Sequence, residues 1–254
     1  KIKSAYYYQS ESDKFLKNFM NGTFKADIYK GDDGGNLNDI DGLVANLSKY
    51  GFVVMEHPNF PTSTLNDHYR ELNNYTGRGG LFFISGELVS SGSGRDLNGI
   101  VFDKKTGQSS AQRTAVVNNT DEYLSLNVGD SMVFDQYYFV SNSTSPDIET
   151  DISDSDYNPY PAINFRIIAT YNQTDDKAIA KWQYGNGTVY FFSDFDVSNF
   201  NGDFVGLVED ASSGFAGGYC NPINFTISSK HLAKAERYLI YNSKTAKMLV
   251  YVWQ

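Results

Sequence analysis

The chain has 254 residues, of which 41% are apolar, so it can bury a sizeable core and is not expected to be disordered. Its formal net charge of −9 and its lack of a Lys/Arg cluster argue against a phosphate-binding surface, so nucleic acid is not an expected partner. No run approaches the ~20 apolar residues of a membrane helix, and a single cysteine, Cys220, excludes an internal disulfide.

The first third of the chain alternates between helical and strand-like patterns. Apolar residues recur at helical spacing in 9–21, 37–50 and 63–77, whereas the segments 24–31, 51–57 and 81–85 read as strands. Such alternation predicts parallel βαβ units. We therefore expect an α/β fold whose sheet is mainly parallel.

The pattern changes after the strand at 81–85. Residues 88–161 are rich in Ser, Asn, Asp and Gly with short alternating runs, which predicts a β-rich insertion. Further strands are predicted at 163–171, 177–185 and 188–195, with Asn186-Gly187 as a hairpin turn, and a helix is predicted at 203–213. The sequence pattern of residues 222–254 predicts a C-terminal β-hairpin extension. We expect a single α/β domain to span 1–254, with this extension included.

Two stretches resemble a known family. Tyr75 to Gly86, where Gly79-Gly80 precede the strand LFFIS, resembles the central strand of class I glutamine-amidotransferase-like domains, including trehalose-utilisation-like proteins and archaeal surface-anchored relatives. AIAKWQYGNGTVYFFSDFD (178–196) is similar to the late hairpin of that group. The resemblance covers 24–88 and 163–215, and it implies a flavodoxin-like three-layer sandwich. Active members carry a cysteine where this chain has Ser85, and a late histidine that has no counterpart near Asp194, so the resemblance implies the fold without the activity.

Asn-X-Ser/Thr acceptor motifs are more frequent than composition explains. Eight occur where about 3.5 are expected by chance, and seven of them use Thr. N-glycosylation requires a surface site in an exported protein, so we expect an extracellular or cell-surface location with N-linked glycans. The acceptors are Asn21, Asn46, Asn74, Asn118, Asn142, Asn172, Asn186 and Asn224.

Polar residues follow the predicted core strands. The carboxyl ends of parallel strands meet at one edge of a sheet, where ligands commonly bind. A serine nucleophile at Ser85 would need a base, and His57 is the histidine that follows a core strand, with Glu87 nearby. The elbow pattern Gly-x-Ser-x-Gly is absent, because Phe83 and Glu87 occupy the glycine positions. A wider carboxylate cluster that could bind a divalent cation comprises Glu56, His57, Glu87, Asp194 and Asp196.

An acidic loop offers a second candidate site. Asp151, Asp154 and Asp156 lie within residues 145–161, and oxygen-rich loops suit Ca²⁺, although the EF-hand pattern is missing. The alternative interpretation is a solvated charged loop.

The segment Tyr6-Tyr7-Tyr8 is expected to leave at least one ring exposed and to pack against a neighbouring subunit or an upstream anchor. The chain begins at Lys1, so we expect it to be a processed piece, attached to a membrane only through an N-terminal anchor that was removed or is absent. Two functional hypotheses remain. One is a non-enzymatic, glycosylated domain that interacts with other subunits of an archaeal envelope, S-layer or filament assembly. The other is an exported hydrolase that uses Ser85, His57 and Glu87, or a metal at that edge.

Overall fold

The structure, a computed structural model, describes most of the chain in separate ranges. The described residues are 3–8, 14, 16–31, 39–56, 62–85, 107–109, 111–121, 124, 126–134, 137–139, 160, 162–195, 197–198, 232–241 and 244–253. The helix expected at 203–213 lies outside these ranges.

The first third of the chain forms the parallel half of a sheet. The strands are β1 (Ser4–Tyr8), β2 (Asp27–Lys30), β3 (Phe52–Glu56) and β4 (Leu81–Ser85), and the helices between them are α1 (Lys17–Phe19), α2 (Ile40–Asn46) and α3 (Thr62–Gly77). A π-helical turn (Met20–Phe24) extends α1 and a 3-10 turn (Leu47–Lys49) extends α2. The apolar runs at 51–57 and 81–85 are confirmed as buried strands.

The later strands form the antiparallel half of the same sheet. They are β6 (Arg113–Val117), β7 (Ser131–Phe134), β9 (Ala162–Tyr171), β10 (Lys177–Tyr184), β11 (Gly187–Phe192) and β12 (Val197–Ser198). Within the described residues, the sheet has ten strands in the order β12-β7-β6-β9-β10-β11-β4-β3-β1-β2. A separate small ladder pairs β5 (Gly107–Ser109) with β8 (Tyr137–Phe139).

The expected α/β class is confirmed, but a flavodoxin-like sandwich with a mainly parallel sheet is wrong. Of the nine strand pairs in the large sheet, five are antiparallel and four are parallel. The reason is that the later strands pair with one another in antiparallel orientation and extend the parallel half of the sheet. Two of these strands, β6 and β7, come from the region expected to be an insertion. The predicted hairpin between β10 and β11 is confirmed, but its turn is one residue earlier than expected: Gly185-Asn186 form the turn, and Gly187 already pairs with Tyr184 as the first residue of β11.

Both faces of the sheet are covered. One apolar cluster includes Leu16 and Met20 from the segment around α1, and the other includes Ile40 and Leu43 from α2. β1 is an internal strand between β2 and β3, and its alternate side chains enter the two clusters on opposite faces of the sheet. The expectation that one of Tyr6, Tyr7 and Tyr8 is exposed is therefore wrong: their exposed fractions are 0%, 0% and 2%. Three consecutive rings can be buried because alternate residues of a strand point to opposite faces.

Residues 220–254 form a second compact unit, distinct from residues 1–219. It contains β13 (Leu232–Tyr241) and β14 (Lys244–Trp253), an antiparallel pair joined by two residues. None of the helices in the described ranges has the length and hydrophobicity needed to cross a membrane.

Candidate functional site

Four neighbouring parallel strands end at the same level. The register pairs Tyr8 with Glu56 and Ser85 with Phe192, and it pairs Met55 with Ile84, which sets Glu56 level with Ser85. We call Glu56, Ser85, Ser193 and Asp194 the edge cluster. All four are at most 3% exposed. This is the edge that the sequence predicted for a ligand site.

Glu56 is the best-defined group of the edge cluster. Its carboxylate accepts a hydrogen bond from the Tyr6 hydroxyl and another from the backbone N–H of Leu16 at 3.1 Å. Burial, followed by the charge of Glu56, raises the pKa of Tyr6 well above its ordinary value, so the phenol stays protonated as a donor. Through these bonds Glu56 fastens the segment around α1 onto the sheet.

The two serines of the edge cluster lie inside the fold. Ser85 is 0% exposed, and strand alternation places it on the same face of the sheet as Glu56. Ser193 accepts a hydrogen bond of 2.5 Å from the Tyr171 hydroxyl, and Asp194 accepts one of 2.6 Å from the N–H of Phe195. A hydrolytic serine needs an oxygen that substrate can reach, whereas these oxygens are buried.

The remaining predicted site residues fall outside the described ranges. The structure therefore places neither His57 and Glu87 nor the acidic loop. Within the described residues, no group of three or more His, Cys, Asp or Glu side chains is positioned to bind a metal. The residues not placed are His57, Glu87, Asp151, Asp154, Asp156, Asp196, Asn142 and Asn224.

The glycosylation acceptors divide into two groups. Asn21, Asn118, Asn172 and Asn186 are exposed. Asn21 lies in the π-helical segment Met20–Phe24, and the other three lie in turns or just after strands. Asn46 and Asn74 are half-buried in α2 and α3, and the Asn46 amide donates to the carbonyl of Gly42 at 2.7 Å. The Asn118 amide donates to the Thr170 hydroxyl at 2.7 Å. Asn172 and Asn186 are thus the more available acceptors among the described residues of the sheet.

Sequence reasoning missed a buried polar cluster on the antiparallel half. The Lys181 ammonium lies 2.9 Å from one carboxylate oxygen of Asp121, and the Tyr190 hydroxyl donates to the other at 2.7 Å. The N–H of Leu124 also donates to Asp121 at 3.2 Å. The lysine in the apolar run KAIAKWQY was a usable signal for such a cluster, but nothing in the loop sequence marked Asp121 as its partner.

A second lysine of the same strand is also buried. Lys177 is 0% exposed, and its ammonium lies 5.9 Å from the centre of the Phe165 ring. Burial lowers the pKa of Lys177 to about 8, and the charge of Asp176 only partly opposes that shift.

Comparison with known proteins finds likeness in fold and not in sequence. No family model matches the chain, and no curated protein matches it significantly. A β-galactosidase from Bacillus circulans sp. alkalophilus aligns with 99% of this chain and 40% of its own, with a TM-score of 0.50 and 11% identity. A cytoplasmic protein from Salmonella typhimurium aligns with 85% of this chain and 98% of its own, with a TM-score of 0.51 and 12% identity. The chain thus spans two-fifths of the β-galactosidase, and the likeness defines a mixed α/β fold.

These comparisons correct the family expected from the sequence. The two solved structures compared above are a β-galactosidase and a cytoplasmic bacterial protein, and no family model matches, so the expected membership of the class I glutamine amidotransferases is wrong. The two short matching stretches reflect a glycine-flanked buried strand and a tight hairpin, which many α/β folds contain. The comparisons also give no support to an archaeal S-layer glycoprotein.

Proposed function

We propose that this chain is a non-catalytic extracellular domain that carries N-linked glycans and interacts with other surface subunits. The observation that carries the proposal is the excess of Asn-X-Thr acceptors. Four of the six acceptors on described residues are exposed, and the acceptors Asn172 and Asn186 are in turns. A turn leaves the asparagine accessible to a glycosyl transferase.

The packing of the edge cluster also favours a non-catalytic role. Glu56 and Ser193 accept hydrogen bonds from neighbouring tyrosines, and Ser85 is fully buried. Groups that already have bonded partners inside a fold contribute to stability and are poorly placed to react with substrate.

Mass analysis of the protein purified from its native source tests the proposal. The intact mass should exceed 28.4 kDa, and peptide mapping should find glycans on Asn172 and Asn186. Thr174→Ala should remove one glycan, whereas Thr174→Ser, which preserves the acceptor motif, should retain it. A native mass equal to the bare chain would remove the glycan assignment and the main support for the extracellular location.

The alternative is an exported hydrolase using Ser85, His57 and Glu87. The β-galactosidase with a similar fold is an enzyme and the Salmonella protein is described as cytoplasmic, but at 11% and 12% identity neither property transfers. The hydrolysis of esters, amides and β-galactosides should be measured for wild type and for Ser85→Ala. We expect no turnover by either protein, and a loss of stability of about 1 kcal/mol in the variant. Turnover by wild type that Ser85→Ala abolishes would favour the hydrolase.

A further inference from the structure

The hairpin formed by β13 and β14 has a fixed register. Tyr241 pairs with Lys244 across a two-residue turn, and the ladder continues without a shift to Leu232 and Trp253. A two-stranded hairpin alone is marginally stable in water and gains stability when further strands pair with it. Within the described residues, β13 and β14 form a sheet of two strands only.

The register determines which backbone groups of β13 face away from β14. A two-residue turn is closed by a hydrogen bond between its flanking residues, so Tyr241 and Lys244 form a hydrogen-bonded pair. Such pairs alternate along an antiparallel ladder. The outward backbone groups of β13 therefore belong to alternate residues, namely Leu232, Lys234, Glu236, Tyr238 and Ile240.

These outward positions carry one positive and one negative charge. When two copies of β13 pair antiparallel about a twofold axis, a residue whose backbone groups point away from β14 must face another such residue. The pairing register can therefore change only by two residues at a time, which is one step. Centred on Ala235, the pairing sets Lys234 opposite Glu236 twice. A shift by one step sets either Lys234 opposite Lys234 or Glu236 opposite Glu236. Opposite charges directly across a ladder stabilise it, and like charges destabilise it.

We propose that β13 pairs with β13 of a second copy of this chain, antiparallel and centred on Ala235. The product is a four-stranded sheet in the order β14-β13-β13-β14. The outward residues of β14 include a single charge, Lys247, and so offer no such complementarity. The pairing identifies a partner that the proposed function leaves open, and it does not depend on glycosylation.

Disulfide trapping in the full chain tests the register. In this pairing Ala235 faces the partner's Ala235 as a non-hydrogen-bonded pair, with Cα atoms about 4.5 Å apart, within the range of disulfides. In a Cys220→Ser background, Ala235→Cys should form covalent dimers under mild oxidation. Ala233→Cys is the matched control: that residue faces the partner's Arg237 and should stay monomeric on a denaturing gel.

Charge exchange tests the complementarity independently of the crosslink. Lys234→Glu and Glu236→Lys each place two like-charge pairs across the axis and should raise the dimer Kd about tenfold or more in sedimentation at low salt. The double variant restores opposite charges and should return the Kd to near that of wild type, with melting temperatures showing that all variants fold. The proposal is overturned when the wild-type protein remains monomeric at 100-fold the concentration at which it is purified. It is also overturned by crosslinking of Ala233→Cys as fast as Ala235→Cys, or by trapping through Val250→Cys on β14 in place of Ala235→Cys.

Discussion

At the scale of single residues, buried charges mark the positions where the fold is specific. Asp121 and Lys181 form an ion pair that Tyr190 and a backbone N–H complete, so each removed charge would leave its partner uncompensated. Lys177 is different, because burial shifts its pKa to about 8 and its charge is a cost to the folded state. The two lysines lie four residues apart on β10 and should respond oppositely to substitution.

The Lys177 prediction concerns the pH dependence of stability. The unfolded chain keeps the ordinary lysine pKa of 10.5, while the folded value is about 8, so between these values the unfolded state binds more protons. The contribution of Lys177 to the free energy of unfolding therefore rises with pH across this window. Lys177→Met should be more stable than wild type at pH 7, and this advantage should shrink steadily as the pH rises above 8 toward 10.5.

Urea unfolding of both proteins at pH 7.0, 8.0, 9.0 and 9.5 measures this difference directly. Taking the difference between proteins cancels the titration of other groups, including the tyrosines whose raised pKa opposes stability at high pH. A constant difference across the series would show that Lys177 keeps an ordinary pKa. Lys181→Met serves as the contrasting variant and should destabilise at every pH.

At the scale of elements, the edge strand β2 is shielded from further pairing. Gly31 donates to Tyr8 on β1, so the outward groups of β2 belong to Ile28 and Lys30. The Lys30 N–H donates to the Asp39 carboxylate at 2.8 Å, and just before the strand the Ala26 N–H donates to the Met20 carbonyl at 3.1 Å. Bonding the outward donor of Lys30 in this way discourages association through this end of the sheet edge.

Asp39 should therefore stabilise the protein through β2 and not through its own helix. It precedes α2 as the N-cap residue but makes no side-chain cap bond there. We expect Asp39→Ala to lower the free energy of unfolding by about 1 kcal/mol, and Asp39→Asn, which retains an acceptor oxygen, to lower it less. Equal losses in the two variants would instead assign the effect to the charge beside the helix N-terminus.

Sequence patterns predicted individual elements better than their arrangement. The apolar runs that became β3 and β4 and the helical spacing that became α2 and α3 are local signals, and they were read correctly. Strand order is not a local property: β10 pairs with β9 and β11 because hairpin neighbours join one sheet. β1 was missed because three adjacent tyrosines look exposed unless a sheet is covered on both faces.

The sequence predicted the position of the candidate site but not the burial of its side chains. Glu56, Ser85 and Asp194 follow core strands in the sequence, and the register places Glu56 and Ser85 level at one edge. Their burial depends on contacts from distant segments, such as the N–H of Leu16, forty positions from Glu56. No spacing rule in the sequence reports such a contact.

At the scale of the whole molecule, the two compact units have separate roles in the proposals. The four exposed acceptors of the described residues, Asn21, Asn118, Asn172 and Asn186, lie in residues 1–219. The proposed self-pairing strand lies in residues 220–254, which also contain the acceptor motif at Asn224. Among the residues up to 195, whose burial the structure describes, two apolar clusters are buried. The first unit thus contains a core of its own, including the stacked rings of Phe83 and Tyr190, whose centres are 5.3 Å apart.

Ending the chain after Tyr219 should consequently leave a folded protein that no longer dimerises. Because the apolar clusters remain intact, thermal unfolding should stay cooperative, with a melting temperature within about 5 °C of the full chain, a shift of roughly 1–2 kcal/mol for a chain of this size. Sedimentation should show a monomer at concentrations where the full chain is dimeric. A truncated protein that loses its cooperative transition would show that residues 220–254 complete the core of the first unit. A truncated protein that still dimerises would place the self-association outside β13.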